Sequence, residues 1–318
     1  MDNKRNPDTD WDKNLGGILD GILLMAYGTP DGISDIERYY TEILKGKKPT
    51  ALQLEKLKKR YMAIKGGSPL LEITRSQTEK LQEALKKNGI NAKVYYGMKY
   101  SKPYINEAVD KAKADGISNL VCLPLAPFYT AIGTGSYFNQ VSESAERAGF
   151  KGKLHFIKSW CDEQGLAEAW IEKVSKLGID KGWVMLFTAH SMPTSDADDL
   201  SIYRRQLINT ANSVEKHFGC KWSLCFQSKA DAPGKWIGPD AAWQIKELSK
   251  AGIKRLCIIP IGFISNNLET MYDVGIELLS LCKELGIEAR ISEMPNDSEG
   301  IINALYSVSA KAIHPPEA

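Results

Sequence analysis

The chain has 318 residues, 43% apolar and 25% charged, with a formal net charge of +2. That length supports a large core and two domains rather than one. The charge balance excludes a surface built to grip polyanions throughout, and the lack of any apolar run of about eighteen residues excludes a spanning helix.

Residues 1–20 begin MDNKRNPDTDWDKNLGG and are polar, with no apolar stretch of the kind a signal peptide needs. A loosely ordered tail and a cytoplasmic location are the expectations. Four strand candidates follow in the first half: GILLMAYG (21–28), NAKVYYGMKY (91–100), NLVCLPLA (119–126) and KLHFIKSW (153–160). Four more lie in the second: WVMLFTAH (183–190), WSLCFQSK (222–229), RLCIIPIG (255–262) and EARISEM (288–294). Amphipathic stretches such as SQTEKLQEALKKNG and SIYRRQLINTANSVEKHFG separate them, with helical spacing and a terminal Gly. Alternation of this kind predicts an α/β protein with parallel sheets covered on both faces.

The halves resemble each other. GISNLVCLPLAPF (116–128) parallels GIKRLCIIPIGFI (252–264), and LLMAYGTP (23–30) parallels LFTAHSMP (186–193), setting Tyr27 opposite His190. The expected division is a tail over 1–20, an α/β domain over 21–162 and a second over 163–318, with the last helix packing back on the first domain. Two four-stranded sheets would then face each other across a cleft, with ligands at the carboxyl ends of the strands.

LKGKKPTALQLEKLKKRY (44–61) is basic, but nucleic-acid binding wants a broader basic surface with interleaved aromatics. A solvated helix and loop accounts for most of these lysines. Arg60 and Tyr61 stand apart because the GGSPL turn that follows could approach an anion. AIGTGSYFNQ (131–140) lacks the third glycine of a dinucleotide loop, and no P-loop, G-x-S-x-G or H-E-x-x-H occurs. The six cysteines form no C-x-x-C pair and read as buried thiols rather than zinc or iron–sulfur ligands.

Of the four histidines, His190 ends a strand just before Ser191-Met192-Pro193. A structural histidine is an even alternative there. Glu269 opens a helix after the strand at 255–262, so an imidazole and a carboxylate can project into one cleft. Such a mixed N/O pair suits a weakly held divalent first-row metal. Glu269, Asp273 and Glu277 follow at intervals of four, lining one helix face where like charges repel. A solvated face is the plain reading of such a row.

LLMAYGTP, IERYYTEI, RYMAIKGGSPL, TAHSMP, FQS, KWIGPD, PIGFISNNLETMYD and EMPN stand in an order that resembles the ferrochelatase family, nearest its Gram-positive branch acting on coproporphyrin III. The resemblance runs from about Gly21 to the last helix. It implies two Rossmann-like domains (the class II chelatase fold) and insertion of ferrous iron into a porphyrin during haem biosynthesis. It also implies that iron is a substrate and that no organic cofactor or iron–sulfur cluster takes part. Carried over by motif, His190 and Glu269 match the catalytic pair, and both would touch the metal. Tyr27 matches the residue facing the metal from the opposite side of the ring. Arg60, Tyr61, Ser68 and Tyr137 match porphyrin contacts, with Lys45 beside them. Asp273 and Glu277 match an acidic line toward solvent that can hold Mg2+ or another divalent cation.

Three departures stand out. Leu44 and Lys45 replace a usual arginine clamp, and Asn266-Asn267 replace Asp-His, giving Glu269 neutral amide neighbours. Phe128 and Tyr129 stand near a usual histidine. Protoporphyrin IX as substrate, cobalt or nickel chelation on the same fold, a non-catalytic haem carrier and a periplasmic-type binder are the alternatives. Porphyrin and ferrous iron are the expected partners of a monomer that binds no nucleic acid.

Overall fold

The structure is a computed structural model describing residues 19–194, 197–229 and 234–314. The tail expected over 1–20 therefore falls almost wholly outside the described residues. The first half runs β1 (Asp20–Ala26), α1 (Ile36–Ile43), α2 (Ala51–Ala63), α3 (Leu70–Lys87), β2 (Ala92–Met98), α4 (Ile105–Ala114), β3 (Asn119–Pro124), α5 (Thr134–Ala148) and β4 (Lys153–Phe156). The second runs α6 (Gln164–Ser175), β5 (Val184–His190), α7 (Ala197–Phe218), β6 (Lys221–Gln227), α8 (Ala241–Lys250) and β7 (Arg255–Ile259). A π-helix (Thr270–Leu278), α9 (Leu279–Glu284), β8 (Glu288–Ile291) and α10 (Glu299–Ile313) complete it.

All eight strand candidates are strands, most ending earlier than the apolar runs suggest. Proline explains two of these ends. Pro124 closes β3 and Pro260 follows β7, and neither can donate to a further ladder bond. Both sheets are parallel and share one topology, β2-β1-β3-β4 and β6-β5-β7-β8. The paired motifs thus occupy equivalent places: β1 with β5, and β3 with β7.

Strand alternation divides the core. Ile22 and Leu24 of β1 face the same apolar cluster as Met185 and Phe187 of β5, whereas Leu23 and Met25 face a cluster with α4 and α5, and Leu186 one with α8 and α9. The shared cluster also holds Leu81 and Leu85 of α3, Trp170 of α6, Leu207 of α7 and Leu305 of α10. One apolar layer therefore ties the sheets together and leaves polar side chains to gather at their carboxyl ends. α10 packs on α6, α3 and β3. Its approach to α6 depends on small residues, since a Cβ on Gly165 would lie 2.4 Å from the Gly300 carbonyl oxygen.

Candidate active site

His190 is the last residue of β5, a central strand of the second sheet. Its Nδ1–H donates to the Ser191 carbonyl (2.5 Å), which leaves Nε2 facing away from its own backbone. The turn beneath is held at several points. Ser191 N donates to Gln227 O (2.8 Å), Ser191 Oγ to Ile237 O (2.8 Å), and the Tyr203 hydroxyl to His190 O (3.2 Å).

Glu269 arrives from β7 through PIGFISNN. Asn267 Oδ1 accepts from Thr270 N (3.0 Å) while Asn267 N donates to Thr270 Oγ1 (3.0 Å), a reciprocal cap that fixes the helix start beside Glu269. Asn266 N donates to Asn296 Oδ1 (2.9 Å). The amide of Asn267 thus serves the backbone, where the sequence suggested a neighbour tuning the Glu269 carboxyl. His190 Nε2 and Glu269 Oε1 lie 3.3 Å apart, and their side chains are 28% and 29% exposed. Both can touch one guest ion.

Gly262 permits this approach. Its N–H donates to Thr188 O (3.1 Å), and a Cβ there would stand 2.7 Å from both the Cα and the Cβ of Ala189, the residue before His190. Gly262→Ala is expected to lower stability by about 1–3 kcal/mol through overpacking and to displace His190. A denaturation midpoint equal to wild type would show that the contact tolerates a methyl group.

Burial alone would push the His190 pKa down, but the Glu269 carboxylate and the Ser191 carbonyl outweigh it and raise the pKa to about 9. Burial works against the Glu269 carboxylate, and the His190 charge reverses this to hold its pKa below the usual value. Each partner therefore favours the charged form of the other.

Asp273 and Glu277 lie on the π-helix and Glu269 just before it, where i→i+5 bonding keeps residues four apart nearly a turn apart and on one side. Repulsion along the row is relieved by a resident cation. Arg60 donates from Nη2 to Asp273 Oδ1, and Ser228 Oγ donates to Asp273 Oδ2. Arg60 also lies over the Tyr272 ring at 5.4 Å. Arg60, which the motif match sets among the porphyrin contacts, is paired with the acidic row in this structure. Burial raises the Asp273 pKa, only partly offset by Arg60 and Ser228, and it raises that of exposed Glu277, helped by the Asp273 charge. Ser228, with φ 61, was missed by residue-level reading although its FQS motif was visible.

Tyr27 follows β1 at the equivalent place in the first sheet and is 44% exposed. Its ring meets Tyr100 edge-on at 4.8 Å, and Tyr100 N donates to Tyr27 O (3.1 Å). Desolvation, then the Tyr100 phenol and the Glu269 carboxylate, push its pKa above that of a free phenol. Tyr137 is buried on α5, and its phenol adds to the rise of the Tyr27 pKa. Tyr61 is buried with Ile36 and Ile64 against Leu268, Met271 and Tyr272, so α2 of the first half docks on the second half's π-helix. The Tyr61 ring is buried in that contact. Ser68 Oγ accepts from Leu70 N (3.3 Å) ahead of α3, and Lys45 is exposed just past α1 with φ 54. Phe128 is buried edge-on to Tyr203 at 6.4 Å.

Among the described residues no three His, Cys, Asp or Glu side chains converge to hold a metal ion. His190 and Glu269 supply two donors, which would leave a cation's remaining positions to water or to an incoming ligand. The six cysteines are buried and unpaired. A separate polar hollow of about 570 Å³, lined in part by Asn266, Thr270, Asn296 and Asp297, includes neither His190 nor Glu269.

The profile of the ferrochelatase family matches residues 19–313. The chain is 35% identical over 303 residues to the coproporphyrin III ferrochelatase of Geobacillus sp. (strain WCH70), covering 92% of this chain and 97% of the relative. It is 36% identical over 303 residues to coproporphyrin III ferrochelatase 1 of Bacillus thuringiensis subsp. konkukian, covering 92% and 96%. Among solved structures, SirB from Bacillus subtilis with Fe3+ superposes with a TM-score of 0.60 at 13% identity, covering 93% of this chain and 96% of that one. The sirohydrochlorin chelatase SirB from Bacillus subtilis subspecies spizizenii gives 0.58 at 12%, covering 94% and 97%, so the two-sheet fold is that of these chelatases. Relatives matched almost end to end, and a profile running through both sheets, place this chain in the ferrochelatase family.

Proposed function

We propose that this ferrochelatase inserts ferrous iron into coproporphyrin III. In this reading His190 and Glu269 meet the metal and the pyrrole protons on one side of the ring, and Tyr27 faces it from the other. Coproporphyrin III is the substrate in the names of both relatives above. The observation that carries the site is the imidazole and carboxylate 3.3 Å apart at the strand ends.

Insertion replaces two N–H protons with one dication, so two protons leave for each Fe2+ bound and no electron moves. At rest the pair holds one proton, on His190. Glu269 is open to one pyrrole proton, and a second acceptor exists only after His190 releases its own. A cation at Glu269 weakens the attraction that holds that proton and thereby promotes its release. Packing between the lobes, with Tyr137 and Tyr27 as walls, supports the ring pucker that insertion needs.

Exposed Glu277 is the first carboxylate that a hydrated cation meets, and Asp273 follows when Arg60 yields it. Stepwise exchange of waters for oxygens avoids dehydrating the ion in one step. A Mg2+ or other divalent cation held at this outer pair belongs to the same reading. The reaction calls for no organic cofactor. The reading takes the chain as a cytoplasmic monomer of two α/β domains divided near residues 162 and 163. Among the described residues no helix is long and apolar enough to cross a membrane.

An anaerobic assay tests the substrate. Coproporphyrin III and protoporphyrin IX are each offered Fe2+, Co2+ or Zn2+ while loss of the free-base spectrum is followed. Coproporphyrin III with Fe2+ is expected to turn over with the highest kcat/KM. A preference for protoporphyrin IX, or metallation confined to cobalt, would overturn the assignment.

A further inference from the structure

The segment EMPN (293–296) has no part in the chemistry proposed above, yet it is bonded to the loop that carries Glu269. It follows β8 and ends at Asn296, whose φ of 52 lies in the left-handed region. Among residues with a side chain, asparagine reaches that region at low cost. From there Asn296 makes two bonds to the loop ahead of Glu269. Its N–H donates to Ile264 O (2.7 Å), and its Oδ1 accepts from Asn266 N (2.9 Å). Glycine would adopt the same backbone angle freely but supplies no such acceptor.

The carbonyl of Asn296 belongs to a different contact, made by the first half. Gln77 of α3 is fully buried and donates from Nε2 to Asn296 O (2.7 Å) and to Ser265 Oγ (3.2 Å). Beside it, Ser76 Oγ and Lys80 Nζ both donate to Asp297 Oδ2 (2.6 and 2.5 Å). Three neighbouring side chains of α3 therefore hold residues 265, 296 and 297 of the second half. The first half thus grips both flanks of Glu269: α2 docks on the π-helix after it, and α3 holds the loop before it.

This grip matters because the reacting groups are divided between the halves. His190 and Glu269 stand on the second, whereas Tyr27 and Tyr137, the walls for the ring, stand on the first. The distance from carboxylate to ring is set by the register of the two, and a displacement of about 1 Å at reacting atoms can cost a hundredfold in rate. We propose that Asn296 is a positioning residue for metal insertion. Through Asn266 it fixes the loop ahead of Glu269, and through Gln77 it ties that loop to the half that carries the ring. The inference rests on the porphyrin reading above and adds a residue to it.

The test measures kcat and the KM values for porphyrin and metal in Asn296→Gly, Asn296→Asp, Gln77→Met and the double variant of Gln77→Met with Asn296→Gly. Asn296→Gly removes the carboxamide without straining the turn. It is expected to lower kcat about ten- to a hundredfold, with the porphyrin KM nearly unchanged. Asn296→Asp keeps an acceptor for the Asn266 N–H and should restore most of the rate. Gln77→Met keeps the length of the side chain but breaks the link at its other end, so it should lower kcat as well. Because the two links lie in series, the double variant should be no slower than the slower single variant. Thermal melting checks folding, and Gln77→Met carries the comparison if the glycine variant fails to fold. A wild-type kcat in the folded variants, no recovery in Asn296→Asp, losses that multiply in the double variant, or a porphyrin KM that rises as much as kcat falls would overturn the proposal. Glu269→Gln is the control for the reading beneath it. If that variant keeps the wild-type kcat, the site reading falls and the inference with it; if it is impaired while Asn296→Gly is not, the inference alone falls. A wild type that prefers protoporphyrin IX changes only the substrate, and the same ratios are then taken on that ring.

Discussion

Glu269→Gln is expected to lower kcat by about a hundredfold or more, the usual range for removing a positioned proton acceptor, while porphyrin affinity stays near wild type. The variant keeps the shape of the side chain and removes two things together. It takes away the carboxylate that can accept a proton or bind the ion, and it removes the charge that raises His190 to about 9. The pH profile separates this from a mere structural defect. On the proposed reading, protonated His190 competes in wild type with both the metal and the pyrrole proton. Activity should therefore climb as pH rises toward about 9 and level above it. In the glutamine variant burial acts on His190 without the opposing carboxylate, so the residual rate should level at a lower pH. A glutamine variant whose profile still climbs to the wild-type plateau would mean that Glu269 does not set the charge of His190.

The second prediction concerns the row of acids. Asp273→Asn leaves the Arg60 guanidinium unanswered beside the route to Glu269, and opposing charges at such distances are worth several kcal/mol at a partly buried site. KM for Fe2+ is expected to rise about tenfold or more, with the porphyrin KM unchanged. Arg60→Met should act in the opposite sense, lowering KM for the metal because Asp273 and Glu269 then face the ion without a competitor. It should also lower stability, because a buried carboxylate loses its partner. If both variants shift the metal KM in the same direction, Arg60 is only a structural clamp. If neither moves it, the row plays no part in delivering the metal.

Much of this architecture was legible in the primary structure because it depends on local pattern. Apolar runs of strand length, alternating with helical periodicity, determine two parallel sheets, and the repeat of GI-apolar-Pro at 116–128 and 252–264 corresponds to β3 and β7 of a common topology. The order of the motifs likewise identifies the family, and with it His190 and Glu269. Their electrostatic coupling was not legible: nothing in A-H-S-M-P says that the imidazole pKa is raised, which depends on a carboxylate nearly eighty residues away reaching to 3.3 Å.

The roles of the cations were decided only by tertiary packing. Arg60 sits next to a Gly-rich turn in sequence and reads as an anion contact, but α2 docks on the π-helix and delivers it to Asp273, 213 positions further on. Asn267 reads as a neighbour of Glu269, yet its side chain reaches forward to cap Thr270. Periodicity is a property of neighbouring residues and survives in one dimension. Electrostatic partnership falls off over a few ångströms of space, and those distances are set by which helices close over the strand ends.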